Sequence, residues 1–134
     1  MRSVAEGLLD TSVLIAFIFG EAHDVSEDTV LAGGAIASVN LAETISMMQQ
    51  KGGTEAEIRD TLRELNLDVV PFNEMMAERA GTLIPQARKL NIGLGDCACI
   101  ATGLVLQLPI WTADRDWLKL DAPGADIKLI RNPS

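Results

Sequence analysis

Short apolar runs alternate with longer stretches of helical spacing along most of this chain, and that alternation restricts the fold more than any other feature. The apolar runs have the length of buried strands and fall at residues 8–9, 35–37, 68–71, 109–112 and 127–130. Strands that alternate with helices form a parallel sheet with helices on both faces. We therefore predict a single α/β domain over residues 1–134, with a short central parallel sheet.

Helical spacing covers most of the sequence between these runs. The predicted helices are residues 11–19, a weaker stretch at 22–32, a helix that follows residue 37 and ends at Gly52, and helices within 54–65, 76–90 and 93–108. Thr54 and Glu57 have the spacing of a capping box, which marks a helix start. Pro85 lies inside the fifth of these helices and predicts a kink or a break there, because proline removes a helical hydrogen bond.

Four acidic residues occupy the points where predicted strands end or helices begin. Asp10 and Asp114 directly follow strands, and Glu43 lies one turn into the helix after the second strand. Asp96 opens the helix that precedes the fourth strand. Functional sites in parallel α/β folds lie beyond the carboxyl ends of the strands. We therefore predict that all four carboxylates project over the same edge of the sheet.

Carboxylates gathered in one cleft repel one another, and a divalent cation is the usual means of neutralising them. Oxygen ligands favour Mg²⁺ or Mn²⁺ over zinc or copper. Such ions orient a water molecule, lower its pKa and stabilise the leaving oxygen of a phosphodiester. If Gly93 caps its helix, Asp96 is the third helical residue, where the helix dipole favours the ionised carboxylate.

Each acid also has a simpler structural interpretation. Asp10 and Asp114 can cap the helices that follow them, and Asp96 can complement a helix dipole. Asn40 and Glu43 have the spacing of a capping box. Only the joint placement of the four acids at one sheet edge favours a metal site over these separate roles.

The four acids lie in segments that resemble the motifs of PIN-domain nucleases, and most closely the VapC-type toxins of bacterial toxin–antitoxin pairs. The order and spacing of the four segments match those of the family's motifs, and the resemblance extends from about Leu8 to Arg131. The first and second motifs are similar to Leu8-Leu9-Asp10-Thr11-Ser12, with Leu14-Ile15, and to Asn40-Leu41-Ala42-Glu43. The third and fourth are similar to Leu94-Gly95-Asp96, with Ala98, and to Thr112-Ala113-Asp114-Arg115-Asp116-Trp117.

This resemblance implies a Mg²⁺- or Mn²⁺-dependent endoribonuclease that acts on structured RNA, forms a homodimer and is blocked by a cognate VapB-type antitoxin. It implies that the metal ligands are Asp10, Glu43, Asp96 and Asp114, with Asp116 as a supporting acid. It also implies that nearby hydroxyls orient carboxylates or water, namely those of Thr11, Ser12 and Thr112. Relatives often carry a basic residue after the third acid, whereas this chain has Cys97, so one phosphate contact is missing.

The charge balance limits how such a chain can contact RNA. With 19 acids against 11 bases the net charge is −8, which argues against a general nucleic-acid coat but fits a basic protein partner. Arg115 lies closest to the motifs, whereas Arg88 and Lys89 are interpreted as a solvated surface. Trp117 can either pack beneath the site or stack a base.

The sequence gives little support for a zinc site, a membrane-spanning segment or a signal peptide. Cys97 and Cys99 with the single His23 are too few ligands for a zinc site. No apolar run is long enough to span a membrane, and residues 1–7 do not resemble a signal peptide, so we expect a cytoplasmic protein. The 48% of hydrophobic residues fits a surface partly covered by a second copy.

We consider three alternative functions for the same sequence, and two of them lack residues that their chemistry requires. A haloacid-dehalogenase-type phosphatase needs an Asp two residues after the first, where this chain has Ser12. A receiver domain needs an acidic pair and a late Lys, for which we find no convincing match. The serious alternative is a degenerate, non-catalytic PIN module that acts as a binding partner. The intact four acids argue against it, and Cys97 argues weakly for it.

Overall fold

A five-stranded parallel sheet forms the centre of the structure, as the alternation predicts. The computed structural model describes residues 5–131. Its strands are β1 (Gly7–Leu9), β2 (Gly34–Ala37), β3 (Asp68–Val70), β4 (Ile110–Thr112) and β5 (Ile127–Leu129). They are ordered β3-β2-β1-β4-β5, and every neighbouring pair is parallel. Each boundary lies within one residue of its predicted position.

Within residues 5–131, six α-helices and one short 3₁₀ helix connect the strands. They are α1 (Thr11–Phe19), α2 (Glu27–Leu31), α3 (Ser38–Gln50), α4 (Glu55–Leu65), α5 (Glu74–Lys89), α6 (Leu94–Leu106) and the 3₁₀ helix Arg115–Lys119. The predicted capping box at the start of α4 is confirmed, because the Thr54 hydroxyl accepts from the Glu57 N–H and the Glu57 carboxylate accepts from the Thr54 N–H.

The sheet separates two apolar cores, since successive strand residues point to opposite faces. Leu8 packs on one face with side chains from α5, α6 and the 3₁₀ helix, including Ile100 and Trp117. Leu9 and Ile36 pack on the other face with side chains from α1 and α2. The predicted arrangement of helices on both faces is therefore confirmed, and the inner strands β1, β2 and β4 are buried by a layer on each side, whereas the edge strands β3 and β5 are partly exposed.

The predicted helix at residues 22–32 is wrong in its first half. Helix α2 begins only after Ser26, whose hydroxyl accepts a hydrogen bond from the Thr29 N–H and caps the helix. Upstream, the backbone N–H of Asp24 donates to the carbonyl of Ile130 at 2.8 Å, which ties this segment to the end of the sheet. A tertiary hydrogen bond therefore replaces the helical one that the spacing predicts.

Pro85 does not split the helix that contains it. Helix α5 runs unbroken through this proline for 16 residues. Pro85 is exposed, so its ring projects toward solvent, and burial of Met76, Ala80, Leu83 and Ala87 holds the opposite face against the core. Packing along that face offsets the loss of one backbone hydrogen bond.

Two predictions concern membrane insertion and the chain start. Between residues 5 and 131, none of the helices combines the length and the apolar character that crossing a membrane requires. The prediction about the first seven residues falls largely on residues 1–4, which lie outside the described part of the chain.

Candidate active site

The candidate site lies at the carboxyl edge of the sheet, between β1 and β4. The chain progresses outward from β1 through β2 to β3 on one side and continues from β4 to β5 on the other. The neighbours β1 and β4 therefore lead into connections that diverge, which opens a crevice at this edge. Asp10 follows β1 directly, and Thr112 is the last residue of β4.

Asp10 is the most deeply buried of the four acids, with 2% of its surface exposed. Its Oδ2 accepts hydrogen bonds from Ser12 Oγ at 2.7 Å and from Thr112 Oγ1 at 3.1 Å. Its Oδ1 is buried and has no hydrogen-bond partner among residues 5–131. Asp10 occupies the N-cap position of α1, but its side chain makes no capping hydrogen bond to that helix. A simple capping role therefore does not account for the surroundings of this carboxylate.

Burial raises the pKa of Asp10 from 3.8 to about 6. Hydrogen bonds from Ser12 and Thr112 favour the carboxylate and act in the opposite direction, while the negative charge of Asp96 raises the pKa further. The charge of Asp96 therefore acts on Asp10, although the two acids are far apart in sequence.

Ser12 and Thr112 connect Asp10 to the loop that carries the fourth acid. Besides donating to Asp10, Ser12 Oγ accepts from the Ala113 N–H at 3.0 Å, and Thr112 Oγ1 accepts from the Asp114 N–H at 3.1 Å. Each hydroxyl thus donates to the carboxylate and accepts from the loop backbone. This network fixes the position of the loop after β4 relative to Asp10.

Glu43 is held by two side chains from different helices. Its Oε1 accepts from Thr11 Oγ1 and from Asn40 Nδ2, both at 2.9 Å. The predicted capping box at Asn40 and Glu43 is wrong, because α3 begins at Ser38 and Asn40 already lies inside the helix. Within α3, Asn40 instead orients the Glu43 carboxylate.

Asn40 also joins α3 to the start of α6. It is fully buried, and its Nδ2 donates to the carbonyl of Gly95 at 3.1 Å as well as to Glu43. The backbone of Gly95 approaches Glu43 so closely that a Cβ at this position would overlap the Glu43 carboxylate. A side chain at residue 95 would therefore displace Glu43, which explains why glycine fits here.

Asp96 is the third residue of α6, and its Oδ2 accepts the N–H of the N-cap residue Gly93 at 3.0 Å. Burial raises the pKa of Asp96, the hydrogen bond from Gly93 lowers it, and the charges of Glu43 and Asp114 raise it. The favourable effect predicted from the helix start is therefore outweighed by burial and by the two neighbouring acids. Asp96 therefore interacts electrostatically with Glu43 and Asp114, and its charge also acts on Asp10.

The last two predicted acids differ in their surroundings. Asp114 Oδ1 accepts the Asp116 N–H at 2.9 Å, so the predicted capping role of Asp114 is confirmed, while its charge also acts on Asp96. The Asp116 carboxylate instead forms a surface ion pair with Lys119 at 3.0 Å. No contact within residues 5–131 brings the Asp116 carboxylate to the other acids. Arg115 is exposed at the start of the 3₁₀ helix.

The four acids fit a divalent cation by their chemistry, although they do not form a finished ligand set. Over residues 5–131, no group of three His, Cys, Asp or Glu side chains is arranged to hold a metal ion without rearrangement. All four candidates offer carboxylate oxygens, which suit Mg²⁺ or Mn²⁺. The buried, unpartnered Oδ1 of Asp10 is the atom that most needs a positive partner.

Sequence reasoning missed two residues and left one undecided. Asn40 and Gly95 carry contacts that position Glu43, and their motif membership was the only signal that could have found them. Trp117 is fully buried beside Leu8 and Ile100, so it packs beneath the sheet and is inaccessible to a base.

The fold is a parallel α/β domain whose candidate acidic site lies at the edge of the sheet between β1 and β4. Residues 7–123 match the PIN domain family, and the chain belongs to that family. The predicted family is therefore confirmed. A comparison with curated protein sequences finds no significant match.

Solved structures of VapBC complexes contain chains with a similar fold. A chain of VapBC-5 from Mycobacterium tuberculosis, described as a member of the VapBC family of toxin-antitoxin systems, is 25% identical with a TM-score of 0.64, and the match covers 96% of this chain and 99% of that one. A chain of DNA-bound VapBC from Salmonella typhimurium is 17% identical with a TM-score of 0.75 and coverages of 94% and 98%. A chain of VapBC2 from Rickettsia felis is 14% identical with a TM-score of 0.71 and coverages of 92% and 97%.

Proposed function

We propose that this protein is a Mg²⁺- or Mn²⁺-dependent endoribonuclease and the toxin of a toxin–antitoxin pair. The observation that carries the proposal is the state of Asp10, a buried carboxylate with an unpartnered oxygen and a second acid nearby. Such a group is costly to keep in a fold unless a cation neutralises it. Membership of the PIN domain family and the likeness to chains of VapBC complexes support the same assignment.

The proposed ligands are Asp10, Glu43, Asp96 and Asp114, which come from four separate segments. When bound, the cation supplies charge neutralisation and a water molecule of lowered pKa for attack on phosphorus. The role of the protein's own residues is to orient these carboxylates. Ser12 and Thr112 orient Asp10, and Thr11 orients Glu43, through the hydrogen bonds described above.

Two further residues, Asp116 and Arg115, lie beside the proposed metal ligands and have supporting roles in this proposal. Asp116 would support the site as an additional acid, which requires its carboxylate to leave the surface ion pair with Lys119. That pair is exposed and therefore weak, on the order of 0.5 kcal/mol, so the rearrangement costs little. Arg115, exposed beside Asp114, would contact the RNA backbone.

The proposed partners follow from the surface and from the related complexes. The net charge of −8 suits a basic protein segment, and a VapB-type antitoxin is the proposed partner because similar chains occur in VapBC structures. A homodimer is proposed because apolar side chains stay exposed, among them Phe19, Met75 and Leu118. We place the protein in the cytoplasm, where its RNA substrate is found.

Cleavage of RNA in the presence and absence of a metal tests the proposal. The purified chain should cleave total cellular RNA with Mg²⁺ or Mn²⁺ and lose this activity in excess EDTA. Asp96→Asn should reduce cleavage below detection, because it removes one ligand charge beside two other acids. Asp60→Asn, on the exposed face of α4, makes the same chemical change away from the site and should leave cleavage unchanged.

Three outcomes count against the proposal. Undiminished cleavage in EDTA would exclude the metal mechanism, and full activity of Asp96→Asn would exclude this site. If the wild-type chain neither cleaves RNA nor binds Mn²⁺ in a calorimetric titration, the non-catalytic binding module becomes the better interpretation.

A further inference from the structure

A small pocket lies directly beside Asp96, between the end of α5 and the start of α6. Its volume is about 280 Å³, near the lower end for small-ligand sites. It is lined by Ile84, Arg88, Ile92, Gly93, Leu94 and Cys97. Gly93 belongs to both sites, because it lines the pocket and its N–H donates to Asp96 at 3.0 Å. The pocket and the acidic cleft therefore share a wall.

The lining of this pocket combines apolar walls with a single charge. Arg88 is the one charged residue in the lining, and within residues 5–131 its side chain forms neither an ion pair nor a hydrogen bond. Leu94 is 68% exposed, which is the largest exposure of any bulky apolar side chain in the described chain. Leu94 is not part of the apolar core, so core packing does not explain why an apolar residue occupies this position.

We propose that this pocket receives one unstacked nucleobase of the RNA, with the Arg88 guanidinium against the base or its phosphate. The proposal rests on the proposed function, because it identifies where a nucleotide next to the scissile bond would bind. Single-stranded RNA is recognised by bases that leave the stack and pack on aromatic rings or on arginine guanidinium planes. Enzymes that take a base out of the stack also hold it between aromatic or apolar side chains. Arginine also pairs with phosphate through a fixed set of donors.

Charge complementarity favours RNA over other occupants. The acidic cleft repels the phosphate backbone unless a cation is bound, and the chain as a whole carries a net charge of −8. The Arg88 guanidinium lines a pocket that shares Gly93 with Asp96, so it offers a phosphate a positive charge near the acidic residues. Lys89 is adjacent in sequence and also exposed, but it does not line the pocket.

Arg88→Ala and Lys89→Ala form a matched pair, since each removes one positive charge from the end of α5. We expect Arg88→Ala to raise the KM for RNA cleavage by about tenfold with kcat within about twofold, as befits lost substrate binding. Lys89→Ala should change KM by less than about twofold. Arg88→Lys should recover only part of the loss, because lysine keeps the charge but not the planar group.

Leu94→Ala tests the apolar wall without changing charge. Binding of fluorescently labelled oligo(A), oligo(C), oligo(G) and oligo(U) should be measured by anisotropy in an Asp96→Asn background, which prevents cleavage. We expect Leu94→Ala and Arg88→Ala each to weaken binding of at least one homopolymer by about fivefold and to alter the order of preference among the four. Both side chains are exposed, so thermal unfolding should show that the variants remain folded.

The outcomes separate this proposal from the proposed function. If the wild-type chain cleaves RNA and Arg88→Ala behaves like Lys89→Ala, the pocket proposal is wrong while the nuclease assignment stands. If the wild-type chain does not cleave RNA, the nuclease assignment is wrong, and unchanged anisotropy in the pocket variants would then refute the pocket as well. If Leu94→Ala weakens binding of a protein partner but not of RNA, the pocket belongs to a protein interface.

Discussion

Replacing Asp10 with asparagine should remove RNA cleavage and yet make the metal-free protein more stable at neutral pH. The carboxylate is buried, and one of its oxygens has no hydrogen-bond partner among residues 5–131. The pKa of about 6 in the fold, against 3.8 in an unperturbed chain, means that folding opposes the ionised form. A neutral amide of nearly the same shape avoids this penalty.

The size of the effect follows from the two pKa values. The change from 3.8 to about 6 corresponds to a penalty of about 3 kcal/mol when Asp10 is ionised in both states. An asparagine places an amide N–H where Oδ1 now lies, and an unpartnered buried donor costs about 1 to 2 kcal/mol. The expected net gain for Asp10→Asn is therefore about 1 kcal/mol, with about 3 kcal/mol as its upper limit.

The stability penalty of an ionised Asp10 depends on pH. Below pH 3.8 the carboxyl is protonated in both states, and the wild-type chain has no penalty. Between 3.8 and about 6 the folded chain holds the proton that the unfolded chain releases, so this contribution to stability falls as the pH rises. Above about pH 6 the carboxyl is ionised in both states, and the penalty is constant. The advantage of Asp10→Asn should thus grow from about pH 4 to pH 6 and then level off.

Urea unfolding in EDTA across this pH range, at fixed protein concentration, measures the difference directly. Asp60→Asn serves as the surface control and should stay within about 0.5 kcal/mol of the wild-type chain at every pH. Saturating Mn²⁺ should reverse the order, because only the chain with an intact ligand gains stability from binding. A variant that is less stable than the wild type at all pH values, or a difference that does not change with pH, would refute the reasoning.

Two further substitutions test the geometry around the acids, each with an internal control. Gly95→Ala should reduce cleavage at least about tenfold, because the added Cβ overlaps the Glu43 carboxylate. The control is Gly81→Ala, whose added Cβ has no neighbour within contact distance. It should leave cleavage unchanged and stabilise α5 by about 0.5 to 1 kcal/mol. Thr112→Val should lower the free energy of unfolding by about 1 to 3 kcal/mol, because it deprives a buried carboxylate and a loop N–H of their partner. Thr102→Val, equally buried, removes only a bond to a carbonyl within its own helix and should cost about 1 kcal/mol or less by the same urea measurement.

The strands and most of the helices could be predicted because their signals are local. Each strand is an apolar run, and each correct helix start has a local cap or a strand end before it, such as Thr54 before α4. The error at residues 22–26 arose from a hydrogen bond between Asp24 and Ile130, which are brought together only by the fold. The continuity of α5 through Pro85 also depends on tertiary packing and not on helix propensity.

The elements that carry the four acids could be predicted for a similar reason, because Asp10 and Asp114 follow strands, Asp96 begins a helix and Glu43 lies in the helix after the second strand. Their environments could not. Asn40 looked like part of a capping box, and its contact with Gly95 spans 55 residues of sequence. The pKa of Asp96 rises because of burial and of two acids from distant segments, whereas the sequence shows only the helix start, which acts in the opposite direction.

Arg88 illustrates the same limit on the substrate side. In sequence it is indistinguishable from Lys89, and both are interpreted as solvated surface charges. The structure separates them, since one lines a pocket that shares Gly93 with the acidic cleft and the other does not. Which of two adjacent basic residues faces a pocket depends on how α5 packs against α6, and the charge pattern alone carries no such information.

The energetics of Asp10 bear on the choice between a nuclease and a binding module. A chain that served only as a protein-binding partner would be more stable with asparagine or another neutral residue at this position. Instead it carries a buried carboxylate, two hydroxyls that favour its ionised form, and a second acid, Asp96, whose charge acts on it and which itself interacts with Glu43 and Asp114. Ionisable groups kept at a cost to stability are characteristic of functional sites. Because the hydroxyls hold Asp10 in place without neutralising it, the arrangement is suited to a cation and to the chemistry that a cation supports.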